Sequence, residues 1–235
     1  MSALAPLRTG RIHSFRSDGH ATSQHMRLHL GAIPDSPDFV PDEAWRSLRE
    51  PSPWLVQFIA PPIGIVAALV VAVSWLLMTP LRNAVPTLPI ALETVLETLP
   101  ISFILLSFPA IVVVHELVHA AVHPMSGRSA HSILGFWPSR VLFYTHYDGE
   151  LTRNRFVATC LMPLVVISLV PLVVAIAVQS APGWVAFVSV FNALLACGDM
   201  LGAGMVLFQM PATAILRNQG WRTYWRERET LAALP

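Results

Sequence analysis

Charge is scarce in this chain. Only 12% of its 235 residues are charged, whereas 54% are hydrophobic. A soluble domain carries about a quarter charged residues, so the composition argues against an ordinary soluble protein and predicts a polytopic membrane protein. Lysine is absent, all fifteen basic residues are arginine, and the formal net charge is +1. This near-neutral balance argues against a nucleic-acid partner.

Cysteine is equally scarce, and the first fifty residues lack a signal-peptide pattern. Cys160 and Cys197 both fall in apolar stretches, which predicts buried thiols and no disulfide framework. Arginine, histidine and proline interrupt every candidate apolar core near the N-terminus. We therefore predict that residues 1–53 form a cytoplasmic arm, with a short interfacial helix at "PDEAWRSLRE", residues 41–50.

Long apolar runs are what the chain has instead. Four of them approach the ~20 residues that a membrane helix needs, and they lie at about residues 54–78, 100–122, 156–179 and 184–210. The predicted fold is an all-α polytopic membrane protein with a core of residues 54–210 and a cytoplasmic tail of residues 211–235.

Between the first two spans, "LPIALETVLETLP" places Glu93 and Glu97 one helical turn apart, opposite a leucine-rich face. This pattern predicts an amphipathic helix lying on the membrane. A catalytic carboxylate pair is the alternative interpretation.

The arginines predict the orientation in the membrane. Six lie before the first span, only Arg82 lies between spans one and two, four follow span two and four follow span four. The short turn near Ala181 has none. This alternation follows the positive-inside rule and predicts a multi-pass cell-membrane protein with both termini in the cytoplasm.

The second span contains the pattern H-E-x-x-H, as "HELVH" at residues 115–119. On a helix, His115 and His119 lie on one face and can bind the same Zn²⁺, while Glu116 beside them can accept a proton from the attacking water. Ionisable groups in a membrane helix are costly and usually functional. The alternative is a polar cluster that only joins helices.

A third ligand must come from elsewhere in the chain. His123 lies eight residues after His115, about 12 Å along a helix, which is too far for one zinc site. Asp199 is the other acidic residue within a span, and it is either a ligand or a hydrogen-bonding residue between helices. Asn192 lies seven residues earlier and shares its face. It contacts substrate or makes a packing hydrogen bond.

These motifs resemble the "Putative zincin peptidase" family of small bacterial membrane proteins and, more distantly, the site-2 protease type of intramembrane metalloprotease. The resemblance covers about residues 55–215 and includes "LTRNRFVATCLMP", residues 151–163. It implies that His115, His119 and Asp199 bind the metal and that Glu116 is catalytic. Site-2 proteases carry N-x-x-P-x-x-x-x-D-G, whereas here the spacing is one residue shorter, Leu195 replaces the proline and Gly198 precedes the aspartate.

The loop after span two carries a strand-like run, "SRVLFYTHYDGELT". Asp148-Gly149 is a typical hairpin turn, so we expect a small β-hairpin near the cytoplasmic end of span two. It either holds a substrate in extended form or is an ordinary interfacial loop. His131, His146 and Asp148 are of residue types that can bind metal, but we expect each of them at the surface.

The sequence thus predicts a zinc-dependent intramembrane or membrane-proximal peptidase that hydrolyses membrane proteins or peptides within or beside the lipid bilayer. A non-proteolytic metal-binding membrane protein is the alternative, although it would not need Glu116 beside the two histidines. A transporter is disfavoured, because the spans show no pair of interrupted helices.

Overall fold

The computed structural model describes residues 25–78 and 101–228. Three of its helices are long and apolar enough to cross a membrane: α1 (Pro53–Met78), α2 (Ile101–Val122) and α3 (Arg153–Val178). Two shorter helices, α4 (Gly183–Leu195) and α5 (Cys197–Gln209), meet at a bend of 48° and together can form a fourth span. The prediction of about four apolar spans is confirmed to this extent.

Two predictions between and before the spans meet different outcomes. The prediction of an amphipathic helix with Glu93 and Glu97 falls on residues outside the described part of the chain. The predicted interfacial helix at residues 41–50 is wrong, because this segment contains strand β2 (Arg46–Ser47), which pairs with residues near the C-terminus. Its local composition favours a helix, but a tertiary partner decides its conformation.

The prediction of an all-α fold is also wrong, because two sheets adjoin the helix ends. Sheet A contains β1 (Arg27–Leu30), β3 (Ser132–Trp137) and β4 (Leu142–Tyr147) in the order β1-β3-β4. In it, β1 runs parallel to β3, and β3 runs antiparallel to β4. Sheet B is antiparallel and joins β2, β7 (Arg222–Glu227), β6 (Ala214–Gln219) and β5 (Leu151–Thr152) in that order.

The expected hairpin is present, but its turn lies elsewhere. Strands β3 and β4 are joined by a 3₁₀ turn at Pro138–Arg140, after which Val141 adopts a left-handed conformation. Asp148 and Gly149 instead lead from β4 in sheet A to β5 in sheet B. These two residues therefore form the connection between the two sheets and not a hairpin turn.

Close helix packing depends on small and polar residues. A side-chain carbon at Gly64 of α1 would lie 2.5 Å from the Leu194 carbonyl oxygen of α4, so only glycine permits this approach. Trp75 of α1 donates a hydrogen bond of 2.8 Å to the Ser189 hydroxyl of α4. Around it lie Val71, Leu172, Ala175 and Ala193.

A second core joins sheet B to the ends of α3 and α5. It contains Leu48, Leu151, Val206, Met210, Ala214, Leu216 and Trp225. The segments before α1 and after α5 are thus folded together in sheet B. Sheet B covers ends of α3 and α5, and its β6–β7 turn lines the cavity at the candidate site.

Candidate metal centre

Helices α2 and α5 bring three predicted ligands together. The Nε2 atoms of His115 and His119, one turn apart on α2, are 3.1 Å from each other. Asp199 in the first turn of α5 places Oδ2 3.0 Å from His115 Nε2 and Oδ1 3.2 Å from His119 Nε2. The side chains of both histidines are buried, and that of Asp199 is 23% exposed.

The hydrogen-bond network determines which nitrogen of His115 carries its proton. Asn192 is fully buried, and its Nδ2 donates to the Pro163 carbonyl oxygen (3.0 Å) and the Ser168 hydroxyl (2.9 Å). Its Oδ1 is therefore the atom that faces His115 Nδ1, at 2.8 Å. Because an amide oxygen only accepts, His115 Nδ1 is the donor, and in the neutral ring the lone pair lies on Nε2.

His119 is oriented in the same way by a main-chain carbonyl. Its Nδ1 lies 2.7 Å from the carbonyl oxygen of Thr159 on α3. In an uninterrupted helix that oxygen would accept from the N–H of residue 163, four positions later. Position 163 is proline, which has no N–H. Pro163 therefore leaves the Thr159 carbonyl available to His119.

The resulting set of nitrogen and oxygen lone pairs suits a cation. In the neutral rings both Nε2 atoms present lone pairs, and they face each other and the two oxygens of Asp199. Four acceptor atoms within about 3 Å repel one another unless a positive charge lies among them. Two imidazoles and a carboxylate are the ligands of many catalytic zinc sites, with outer hydrogen bonds from Nδ1 as seen here. His115, Glu116 and His119 also form a group that could hold a metal ion, their candidate atoms all within 4.8 Å of one another.

Glu116 lies beside the ligands with a free acceptor. Its side chain is buried, and Oε2 has no hydrogen-bond partner among the described residues. The hydroxyl of Thr145 on β4 donates to the main-chain oxygen of Glu116 over 2.9 Å, so sheet A is anchored at this turn of α2. A buried, unpaired carboxylate oxygen is costly and is typical of a functional group.

The other histidines and Asp148 lie outside this centre. His123 is buried and pairs through Nδ1 with the Ser132 hydroxyl at 3.1 Å, and burial lowers its pKa to about 4. The prediction that His146 lies at the surface is wrong, since it is only 4% exposed and burial lowers its pKa to about 4. Asp148 is also mostly covered, against Arg27 and Arg217, whereas His131 is exposed as predicted.

A cavity of about 280 Å³ opens onto the candidate centre. Helices α2, α3 and α5, strand β4 and the β6–β7 turn contribute to its walls, and Glu116, His119 and Asp199 line it. All six residues of β4 line it as well. Cys160 also borders the cavity, and both cysteines are free thiols.

The Thr159 carbonyl and the Thr145 hydroxyl were missed from the sequence, and the ring of His146, which lines the cavity, was expected at the surface. A main-chain acceptor has no side-chain signature, and its only signal is the proline four residues later. The strand residues depend on sheet pairing, which the local pattern does not fix.

Replacing Pro163 with alanine should weaken zinc binding without removing a ligand. The alanine would supply an N–H to the Thr159 carbonyl, and this N–H would then compete with His119 for that acceptor. We expect zinc affinity to fall by up to about tenfold, which is the lower end of the loss seen when an outer hydrogen-bond partner of a metal ligand is removed. Competition with a fluorescent chelator measures the affinity. Pro171→Ala, in the same helix, is the control, and equal effects of both variants would contradict this role.

Comparison with known proteins supports the same chemistry. A family described as "Putative zincin peptidase" matches residues 108–215, which contain the four central side chains of the site. No curated protein and no solved structure matches the chain. Over residues 108–215 the chain is thus similar to a family whose description supports a metallopeptidase function and implies zinc.

Proposed function

We propose that the protein is a zinc-dependent peptidase that cleaves membrane proteins or peptides within or next to the bilayer. One observation carries this proposal: two buried imidazole nitrogens and a carboxylate converge within 3.0–3.2 Å beside the unpaired Oε2 of Glu116. The family match supports the metallopeptidase part of this proposal.

The residues divide into ligands and a base. His115, His119 and Asp199 would hold Zn²⁺, which when bound supplies Lewis-acid chemistry toward a peptide carbonyl and water. Glu116 takes a proton from the attacking water through Oε2 and delivers it to the leaving amine. The sequence left substrate contact or a packing hydrogen bond open for Asn192. Its amide is fully buried and bonds within the protein, which favours the packing hydrogen bond, and we assign that bond the role of orienting His115.

Strand β4 offers a way to hold the substrate. Within the described residues it pairs only with β3, and its residues line the cavity that contains Glu116. An extended peptide could add to the free edge through main-chain hydrogen bonds, which tolerate many sequences. This arrangement favours peptide substrates in extended form over folded domains.

The apolar helices favour a multi-pass protein of the cell membrane. Both termini would be cytoplasmic, since the arginine-rich segments before α1 and after α5 fold together in sheet B. The alternative is a metal-binding membrane protein that does not cleave peptides. Glu116 argues against it, because binding metal needs no unpaired base next to the two histidines.

Asp199→Asn tests whether α5 completes the metal centre. Asparagine keeps the size of aspartate but removes the charge, so we expect zinc affinity and peptide hydrolysis each to fall by at least tenfold, while thermal unfolding changes little. Zinc titration and cleavage of a reconstituted single-span reporter measure these effects. Asp38→Asn, at an exposed position, is the matched control. Unchanged affinity would leave Asp199 as a packing residue only.

A further inference from the structure

One face of sheet A is mostly apolar and partly exposed. The strand register places Leu28 beside Leu134, and Leu30 beside Phe136 and then Phe143, so these five residues share a face, here called the apolar sheet face. Thr145, opposite Leu134, lies on the same face, and its hydroxyl bonds the main chain of α2. Leu28 is 79% exposed, Leu30 74% and Phe143 41%. In water such a patch would be unfavourable, and its presence indicates a contact partner.

The position of the sheet along α2 indicates which partner it is. Helix α2 has 22 residues and is about 33 Å long at 1.5 Å per residue, close to the ~30 Å of a bilayer core. Sheet A contacts it at Glu116, and the groove beside the apolar sheet face reaches Val113. Both residues lie within about 14 Å of the C-terminal end of α2, at Val122. If α2 spans the bilayer, the apolar sheet face lies at the depth of lipid.

Two tryptophans mark the boundary of that region. The guanidinium of Arg140, in the β3–β4 turn, lies 3.9 Å from the ring centre of Trp54 and 5.4 Å from that of Trp137. Gln57 of α1 donates to the Arg140 carbonyl oxygen. Tryptophan and arginine are typical of the membrane–water interface. The turn therefore lies beside the first residues of α1, where that helix would enter the bilayer if it spans the membrane.

The opposite face of β1 is polar. Arg27 and His29 alternate with the leucines, and Arg27 lies 3.4 Å from the carboxylate of Asp148. An element with one apolar and one charged face, beside spanning helices, suits the plane of the interface. Val113 of α2 is exposed and lines the groove beside the apolar sheet face. Val114 and Leu117 of the same helix are exposed as well.

We propose that the apolar sheet face is seated in the bilayer and that acyl chains occupy the groove between it and α2. This groove, of about 350 Å³, shares Glu116 and Phe143 with the cavity at the metal centre. Phe143 thus separates a lipid-filled groove from the cavity, and a membrane-embedded segment reaches Glu116 by displacing lipid. The inference rests on the proposed membrane location.

Spin-label accessibility tests it in protein reconstituted into phosphatidylcholine and phosphatidylglycerol vesicles. A nitroxide is attached to Leu30→Cys in a chain with Cys160→Ala and Cys197→Ala. We expect relaxation by oxygen, which concentrates in lipid, to exceed that by a water-soluble nickel chelate several-fold. The matched control, Arg27→Cys on the opposite face of β1, should show the reverse. Leu106→Cys on exposed α2 reports whether the helix is embedded.

The outcomes distinguish a failure of the inferred lipid contact of the apolar sheet face from a failure of the proposed membrane location. A water-accessible label at position 30 with a lipid-accessible label at position 106 overturns the inference and leaves the membrane location intact. Water access at both positions overturns both. Exclusion of both reagents at position 30 indicates cover by protein and also overturns it. If the cysteine-free chain misfolds, benzoylphenylalanine at position 30 of the chain with native cysteines should give lipid adducts under light, and their absence contradicts the proposal.

Discussion

His115→Ala and His119→Ala should each abolish stoichiometric zinc while the protein remains folded in detergent. Each change leaves one imidazole and the Asp199 carboxylate, a set too small for a stable site. The loss should exceed the roughly 10–100-fold that removal of an outer hydrogen-bond partner costs. Zinc per protein after gel filtration is the measurement, with helical content by circular dichroism as the check on folding.

His131→Ala is the control for these variants, because His131 is exposed and its ring Nδ1 bonds to the Asp148 carbonyl oxygen. It should keep a full equivalent of zinc. Full zinc occupancy in the His115→Ala, His119→Ala double variant would refute the assignment of α2 as the metal-binding helix.

Glu116→Gln should retain zinc but lose hydrolysis by about 10²–10⁴-fold, the usual contribution of a general acid–base group. The amide fills the same volume and cannot accept the proton. Cleavage of a single-span reporter in vesicles, together with zinc content, separates chemistry from binding. Glu150→Gln, on a partly exposed side chain paired with Arg226, should cleave like the wild type.

Two results would change the role of Glu116. Cleavage at the wild-type rate would show that another group removes the proton. Loss of zinc would make Glu116 a ligand, an arrangement that its grouping with His115 and His119 also permits.

The metal-centre side chains could be predicted from the sequence for two reasons. Some form a local pattern, and others are ionisable groups whose placement in an apolar span is energetically costly. His115 and His119 follow from helical spacing within an apolar run. Asp199 follows from the cost of a carboxylate in a membrane span. The helix ends agree with the predicted spans within a few residues, since about twenty apolar residues must be helical in a bilayer.

The sheets could not be predicted in this way. Strand β1 pairs with β3 more than 100 positions later, and β2 has only two residues, paired with Tyr224 and Trp225. Strand β2 is too short to show a periodicity, and the four alternating residues of β1 do not identify the distant strand with which it pairs. His146 and Asp148 are covered because of this strand pairing. Since the local sequence does not show the pairing, both residues were expected at the surface.

Zinc X-ray absorption on the purified wild-type protein tests the metal centre most directly. The first shell should contain two imidazoles and at least one carboxylate or water oxygen at about 2.0–2.2 Å, with the imidazole signal halved in any His119→Ala protein that retains zinc. A sulfur scatterer at about 2.3 Å would place a cysteine thiolate, from Cys160 or Cys197, in the shell instead. That result, or the absence of stoichiometric zinc from folded protein, would contradict the assignment of His115, His119 and Asp199 as the ligands.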